Sequence, residues 1–395
     1  MKNGNLVIKK KSLILFPLVF VFVLMSGSAV GLAHSQIFDP VFLLITLGCF
    51  LFRRRYKNIT RGQIIAAVIL LVCYIFNYVL NFENGAYQNA YMSYMMRIVS
   101  CFFFCCSLDA DEFEKVFVSV MVVVAVYSLV FFIIGQTFGL ISGVSTSWKY
   151  PIHFLYNYNG YLLHRNSGIF WEPGAYQFFL NMALLFNLKI KGFKFKQCIN
   201  PANILFVVSI FTTKSTTGYL AFGVIAVFLI IKSWGELSQR QRLLMIIPML
   251  VLAAALVYFI ATSDVIVDKF TGKTGRSYSI RQNDFFSSIK PIMSHFWVGY
   301  GIGTNQYMEM ASYYNIMSNS VGLFITAIYL GAPYALYYSY RIIRNSVISQ
   351  RKILVPFLVV IVLAMLTEDF YRYAIFFALA IGFGDKKICL KRSKN

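Results

Sequence analysis

Arg165-Asn166-Ser167-Gly168-Ile169-Phe170-Trp171-Glu172-Pro173-Gly174-Ala175 decides how this chain is read, because charged and helix-breaking residues run there straight into a membrane-length apolar stretch. Pro173 suits the first turn of a helix, where its missing N–H would have had no intrahelical partner and its fixed φ is already helical. Glu172 then stands at the cap position. At the α-helical rise the run Pro173–Ile190 covers ~27 Å, enough to cross a hydrocarbon core. A carboxylate and a guanidinium are therefore expected at a membrane surface. The structural alternative is that Glu172 caps the helix and Arg165 snorkels to lipid head groups.

Working outward, 58% of the 395 residues are hydrophobic and 13% charged, a composition that excludes a soluble domain and indicates a polytopic membrane protein. Apolar runs lie near 13–33, 38–52, 63–80, 91–108, 116–139, 173–190, 203–213, 217–231, 243–262, 320–340, 353–366 and 370–384. The expected fold is all-α, a single integral membrane domain over 1–395 with about twelve transmembrane helices.

The formal charge of +21 would suggest nucleic acid in a soluble protein, but here it follows the membrane. With a cytoplasmic N-terminus, most Lys and Arg residues fall on inner segments, among them Lys9 to Lys11, Arg53 to Arg55, Lys189 to Lys196, Arg341 to Lys352 and the basic C-terminal tail. Both termini are expected inside, and no nucleic-acid partner is implied. This parity also splits two runs. Residues 203–231 become two short helices meeting at Thr212-Thr213-Lys214-Ser215-Thr216-Thr217-Gly218, and 353–384 breaks around Thr367-Glu368-Asp369. Broken helices with polar apices are tolerated at membrane depth only beside protein or a wet cavity, so both hairpins are expected to line one.

The first run ends in Gly31-Leu32-Ala33, like a signal-peptidase site, but is longer than a usual signal core and is read as an uncleaved helix. The seven cysteines fall in spans or on the inner side and imply no disulfide framework. Two sizeable loops, 140–167 and 263–319, are expected on the outer face, the second with short helices of its own. Any chemistry belongs there.

Several motifs resolve into structure rather than chemistry. Asp109-Ala110-Asp111 imitates a metal-holding D-x-D but lies on the expected inner side, where a solvated turn accounts for it better. Gly272-Lys273-Thr274 lacks the earlier glycine of a phosphate loop, and Gly299-x-Gly301-x-Gly303 lacks a dinucleotide fold's strand and helix, leaving turn formation. The cations are more informative. Arg165, Arg276 and Arg281 are planar forks suited to phosphate or pyrophosphate oxygens, although Arg276 and Arg281 could equally pair with Asp264, Asp268 or Asp284. Arg97, Lys214 and Arg372 lie within spans, where an ionisable group is expensive and marks a functional candidate, with Glu368 and Asp369 the natural partners of Arg372. His153, His164 and His295 face outward and could accept a proton, or serve as ordinary hydrogen-bonded histidines.

Arg165-x-x-Gly168-x-Phe170-x-Glu172-Pro173-Gly174, the apex Lys214-Ser215-Thr216-Thr217-Gly218, the turn Gly299-x-Gly301-x-Gly303-Thr304 and Ser318-Asn319-Ser320 together resemble the O-antigen polymerase (Wzy) family, within the superfamily that includes the O-antigen ligases. The resemblance covers roughly 160–345 and the arrangement of many spans with two outer loops. It implies a glycosyltransferase of the bacterial inner membrane, its active site facing the periplasm, in lipopolysaccharide or capsule synthesis. Donor and acceptor would be undecaprenyl-pyrophosphate-linked oligosaccharides among membrane lipids, a chain-length regulator being a possible further partner. No metal or other cofactor is implied.

On that resemblance the catalytic candidates are Glu172, Arg165 and His295, with Glu172 and His295 rival bases. Arg276, Arg281, Lys214, Arg97 and Asn319 are candidates for binding pyrophosphate or glycan. The ligases carry a histidine before the helix corresponding to 320–340, where this chain has Ser318-Asn319, so a polymerase is favoured. An Arg-to-Gly loop spacing found in some polymerases is absent. A ligase, and a transporter or flippase of lipid-linked sugars, are the competing readings.

Overall fold

The computed structural model describes residues 10–53, 59–138, 144–145, 151–158, 164–193, 195–236, 276–314, 321–369 and 372–384. They form a mostly helical protein. In chain order the helices are α1 (Lys10–Met25), α2 (Ala29–Ala33), α3 (Ser35–Arg53), α4 (Arg61–Asn81), α5 (Gln88–Ser107), α6 (Ala110–Phe138), α7 (Pro173–Lys191), α8 (Phe195–Cys198), α9 (Pro201–Thr213) and α10 (Thr216–Ser233). There follow α11 (Arg276–Ser294), α12 (Asn305–Tyr313), α13 (Gly322–Leu330), α14 (Ala332–Ser349), α15 (Leu354–Thr367) and α16 (Ala374–Ile381). One departure from all-α is a small antiparallel sheet, β1 (Val144–Ser145), β2 (Pro151–His153) and β3 (Tyr156–Asn157), inside the loop expected at 140–167.

Five of these helices, α3, α4, α5, α6 and α10, are long and apolar enough to cross a membrane, and α14 with α15 makes a sixth if that pair, bent by 98°, is one span. The shortfall from about twelve has visible causes among the described residues. The run 13–33 is interrupted between α1 and α2 at Gly27, and 320–340 is interrupted at Gly331. The 203–231 and 353–384 runs break where charge parity placed the breaks, at Lys214-Ser215 and after Thr367. The run 243–262 lies outside the described residues.

α7 is the helix that the opening stretch announces, yet it is not among the five. Gln177, Asn181 and Asn187 lower its hydropathy, and every residue from Pro173 to Leu188 is buried. A helix enclosed on all sides by protein must fill space and satisfy its polar groups, but need not match lipid. Accordingly Asn181 Nδ2 donates to Gln177 O (3.0 Å) and Gly218 O (3.3 Å), and Asn187 Nδ2 donates to Asn203 Oδ1 (2.8 Å). Around it pack α6, α9, α10 and α15. Phenylalanines fill the space between, with Phe117 on Phe186 (5.6 Å) and Phe186 on Phe357 (5.9 Å).

The end of the bundle at Lys191 is held by polar clamps. Lys189 Nζ donates to Glu114 Oε1 (2.6 Å) and Gln350 Oε1 (3.1 Å), while Gln350 Nε2 donates to the same Glu114 oxygen (2.7 Å). Arg341, which the sequence suggested as an ordinary inner-face cation, is buried and donates to Ala380 O (3.1 Å) and Ile381 O (3.3 Å), where the end of α16 concentrates negative dipole charge. The Asp109-Ala110-Asp111 motif is a helix start with Asp109 buried and Asp111 exposed, rather than a solvated turn. Glu112 N donates to Asp109 Oδ1 (2.9 Å) and Asp109 N to Glu112 Oε2 (3.3 Å), a reciprocal capping arrangement.

The break at Gly331 explains the glycine-rich turn. Tyr300 N donates to Ile328 O (2.7 Å), Gly301 N to Tyr329 O (3.0 Å) and Ala332 N to Phe296 O (2.8 Å), so the turn supplies partners for groups that an unbroken helix would have satisfied internally. Gly331 has φ 88°, and a Cβ there would lie 2.7 Å from Trp297 C. Gly331→Ala is therefore expected to destabilise the protein by about 1–3 kcal/mol, read as a lowered thermal midpoint in detergent.

Candidate functional site at the start of the central helix

Three helix breaks meet the segment 165–174. The first is the break between α1 and α2: Ala29 N donates to Ile169 O (3.0 Å) and Trp171 N to Gly27 O (3.2 Å). The second is the α9–α10 apex: Asn166 N donates to Thr212 O (2.9 Å), Asn166 Nδ2 to Thr212 Oγ1 (3.1 Å) and Arg165 Nε to Thr213 O (3.1 Å). The third is the break after α15, at Gly174. A Cβ on Gly174 would lie 2.8 Å from Glu368 Cδ and 3.1 Å from Glu172 Oε1, so only a glycine lets both side chains close over the first turn of α7. The two apices expected to line one cavity thus flank the same turns of α7, with Glu368 against Gly174 and Gly218 against Gln177.

Local chemistry builds this junction. Asn166 Oδ1 accepts from Gly168 N (2.9 Å), folding the segment back on itself, and Asn157 Nδ2 donates to Phe170 O and Trp171 O (2.9 Å each), tying it to β3. Glu172 is extended and occupies the N-cap, but its side chain makes no cap hydrogen bond, so the capping role expected of its carboxylate is not what it does. It is half-buried, whereas Glu368 is 5% exposed. The positive end of the α7 dipole favours charge on both.

Arg165 is half-buried and holds the α9 terminus, and its charge also acts on Tyr219 of α10. Arg165→Ala is expected to cost about 1.5–3 kcal/mol, as for a hydrogen bond from a charged donor, and Lys to recover only part of it because an ammonium cannot reproduce the guanidinium fork. Urea or thermal unfolding of the two variants checks this. Lys214 ends α9 in the left-handed region, at φ 47° and ψ 40°. With His164 it borders a pocket of ≈ 490 Å³.

The remaining candidates stand apart or elsewhere. Arg97 is buried and directs Nε (2.7 Å) and Nη2 (3.1 Å) to the two oxygens of Asp39, which also takes a hydrogen bond from Ser93, so this fork is filled by protein. Arg372 pairs with Asp369, as expected, and Arg372 Nη1 reaches Tyr94 OH (3.4 Å), while Glu368 turns its carboxyl toward Gly174. His295 belongs to the segment of the glycine turn. Gln306 Nε2 lies 3.0 Å from its Nε2, its ring lies tilted against Tyr300 (centroids 3.9 Å apart), and burial lowers its affinity for a proton. A neutral imidazole accepting from the Gln306 amide fits both facts. That segment reaches the third break through Tyr307 and Tyr329, both under the influence of Asp369 and Arg372. Arg276 and Arg281 lie on the backbone of α11, but their side chains, and Asn319 altogether, fall outside the described residues.

Glu368 was read from sequence only as a partner for Arg372. An acidic residue in an apolar run, directly at a helix break, was the signal for a larger role. The Gly27 break offered no comparable signal. Among the described residues no group of three or more His, Cys, Asp or Glu side chains is arranged to hold a metal ion. Comparison of the chain with protein families, with curated proteins and with solved structures finds no match.

Proposed function

We propose that the chain is a polysaccharide polymerase of the O-antigen polymerase type, acting in the bacterial inner membrane on polyprenyl-pyrophosphate-linked oligosaccharides at the outer face. The observation that supports this most is the convergence of three helix breaks on segment 165–174, which carries Arg165 and Glu172 and meets Glu368 at Gly174. In this reading an acceptor hydroxyl attacks the anomeric carbon of the donor glycan. The new glycosidic C–O bond forms as the bond to the pyrophosphate breaks, the electron pair leaving with the pyrophosphate oxygen. Glu172 takes the hydroxyl proton, and Arg165 offsets charge on the departing group. Glu368 lies against Gly174 in the same first turn of α7 and adds a second carboxylate beside the site. His295 remains the rival proton acceptor.

The test is deletion of the gene in a host carrying the matching repeat-unit cluster, followed by restoration. A single repeat on the lipid core, with the ladder returning on restoration, supports the polymerase. Polymer accumulating on the lipid carrier alone supports the ligase. A second reading, a transporter of lipid-linked sugars, draws on the same broken helices, which in transporters form substrate sites. Repeat units trapped on the cytoplasmic side would favour it.

A further inference from the structure

Beyond that reading, we propose that the groove between α6 and α9 binds one anionic phospholipid of the bilayer, with its phosphodiester at Lys214 and a chain lying along Phe132, Val208 and Phe211. The groove has the two-part character that an amphiphile requires. Phe132, Val208 and Phe211 form an apolar wall, and Val208 is exposed on the flank of the bundle. Lys214, His164 and Gln136 form a polar end, with His164 Nδ1 3.4 Å from Gln136 Oε1. Among the described residues no carboxylate pairs with Lys214. Among those residues its ammonium has no counter-ion but what enters the groove.

The backbone supplies a second, independent indication. Among the described residues only Phe154 and Lys214 adopt positive φ without being glycine. Lys214 closes α9 at the position and in the conformation where glycine or asparagine is the ordinary choice, because they bear no β-carbon penalty or offset it locally. A lysine held there at a conformational cost is explained if its ammonium has a ligand. Charge decides which one. A single ammonium matches the single charge of a phosphodiester. Lipid bound here would brace the apex that packs on Gln177 through Gly218.

The test uses the full-length protein, purified in detergent, with phosphatidylglycerol and phosphatidylcholine of identical chains, retention being read by native mass spectrometry. Phosphatidylglycerol should be retained about five- to tenfold more, the contribution of one basic residue near an anionic lipid. Lys214→Gly should abolish that preference while the lipid-free protein keeps or raises its thermal midpoint, since glycine adopts this conformation freely. Lys214→Asn, which also tolerates it, is the second variant. Phe211→Ser should weaken retention of both lipids. Equal retention of the two lipids by the wild type would overturn the proposal, as would a preference that survives both Lys214 variants. Displacement by millimolar inorganic phosphate would reduce the groove to a free-anion site, and displacement by a polyprenyl pyrophosphate with the same Lys214 dependence would assign it to the substrate. Either result contradicts a bilayer lipid.

Discussion

Arg97→Met lowers the stability of the protein by about 3–5 kcal/mol, the usual cost of breaking a buried ion pair from one side. Arg97 and Asp39 have side chains 4% and 0% exposed, so without the guanidinium the carboxyl group is left buried and without its counter-ion. The damage spreads, because Arg97 also lies over the Tyr94 ring (5.9 Å) and Tyr94 OH is a partner of Arg372 at the third helix break. Asp39→Leu combined with Arg97→Met removes both charges and is expected to recover much of the loss. Unfolding curves of the two single variants and the double variant in one detergent make the measurement. Wild-type stability in the Arg97→Met single variant would contradict the structural assignment. A double variant that is stable but inactive would return Arg97 to the substrate.

Glu172→Gln should reduce glycan transfer by about 10²–10⁴-fold, the range for removing a positioned general base, with no matching loss of stability. The separation follows from geometry. The Glu172 side chain makes no cap hydrogen bond, so the substitution leaves the capping of α7 as it is, and Gln keeps its size and polarity. Gly174→Ala reaches the same chemistry from behind. Its methyl would occupy space now held by the Glu368 carboxyl and crowd Glu172 Oε1 (3.1 Å), displacing both while α7 stays helical. The alanine variant should therefore lower kcat with a near-native circular dichroism spectrum and a modest loss of thermal stability. If Glu172→Gln turns over at the wild-type rate while His295→Gln does not, His295 is the base.

The parts of this architecture that could be read in advance are those where one residue has one physical outcome. Pro173 at the head of α7 is one, since a missing N–H is tolerated there. The Thr212 to Gly218 apex is another, because basic segments on both sides of 203–231 had to share a face, and α9 ends at Thr213. The Gly331 break has a local signal, Gly331 followed by Pro333 in the first turn of the next helix, but not its partner: a turn distant in sequence, Phe296 to Gly301, places its backbone there. What surrounds α7 is another limit: length and leading proline announced the helix, but that protein encloses it from Pro173 to Leu188, where Gln177, Asn181 and Asn187 sit, is seen only in the folded chain. The same limit applies to the site. Arg165 and Glu172 stood out through their motif, but Glu368 joins them only through Gly174, a contact that needs the folded chain.

The most direct test of the central claim is reconstitution of the purified protein in liposomes with a polyprenyl-pyrophosphate-linked repeat unit as the sole saccharide, products being separated by gel. A ladder of joined repeats with release of polyprenyl pyrophosphate, abolished by Glu172→Gln, is the expected result. Single repeats moved across the bilayer and never joined would contradict it.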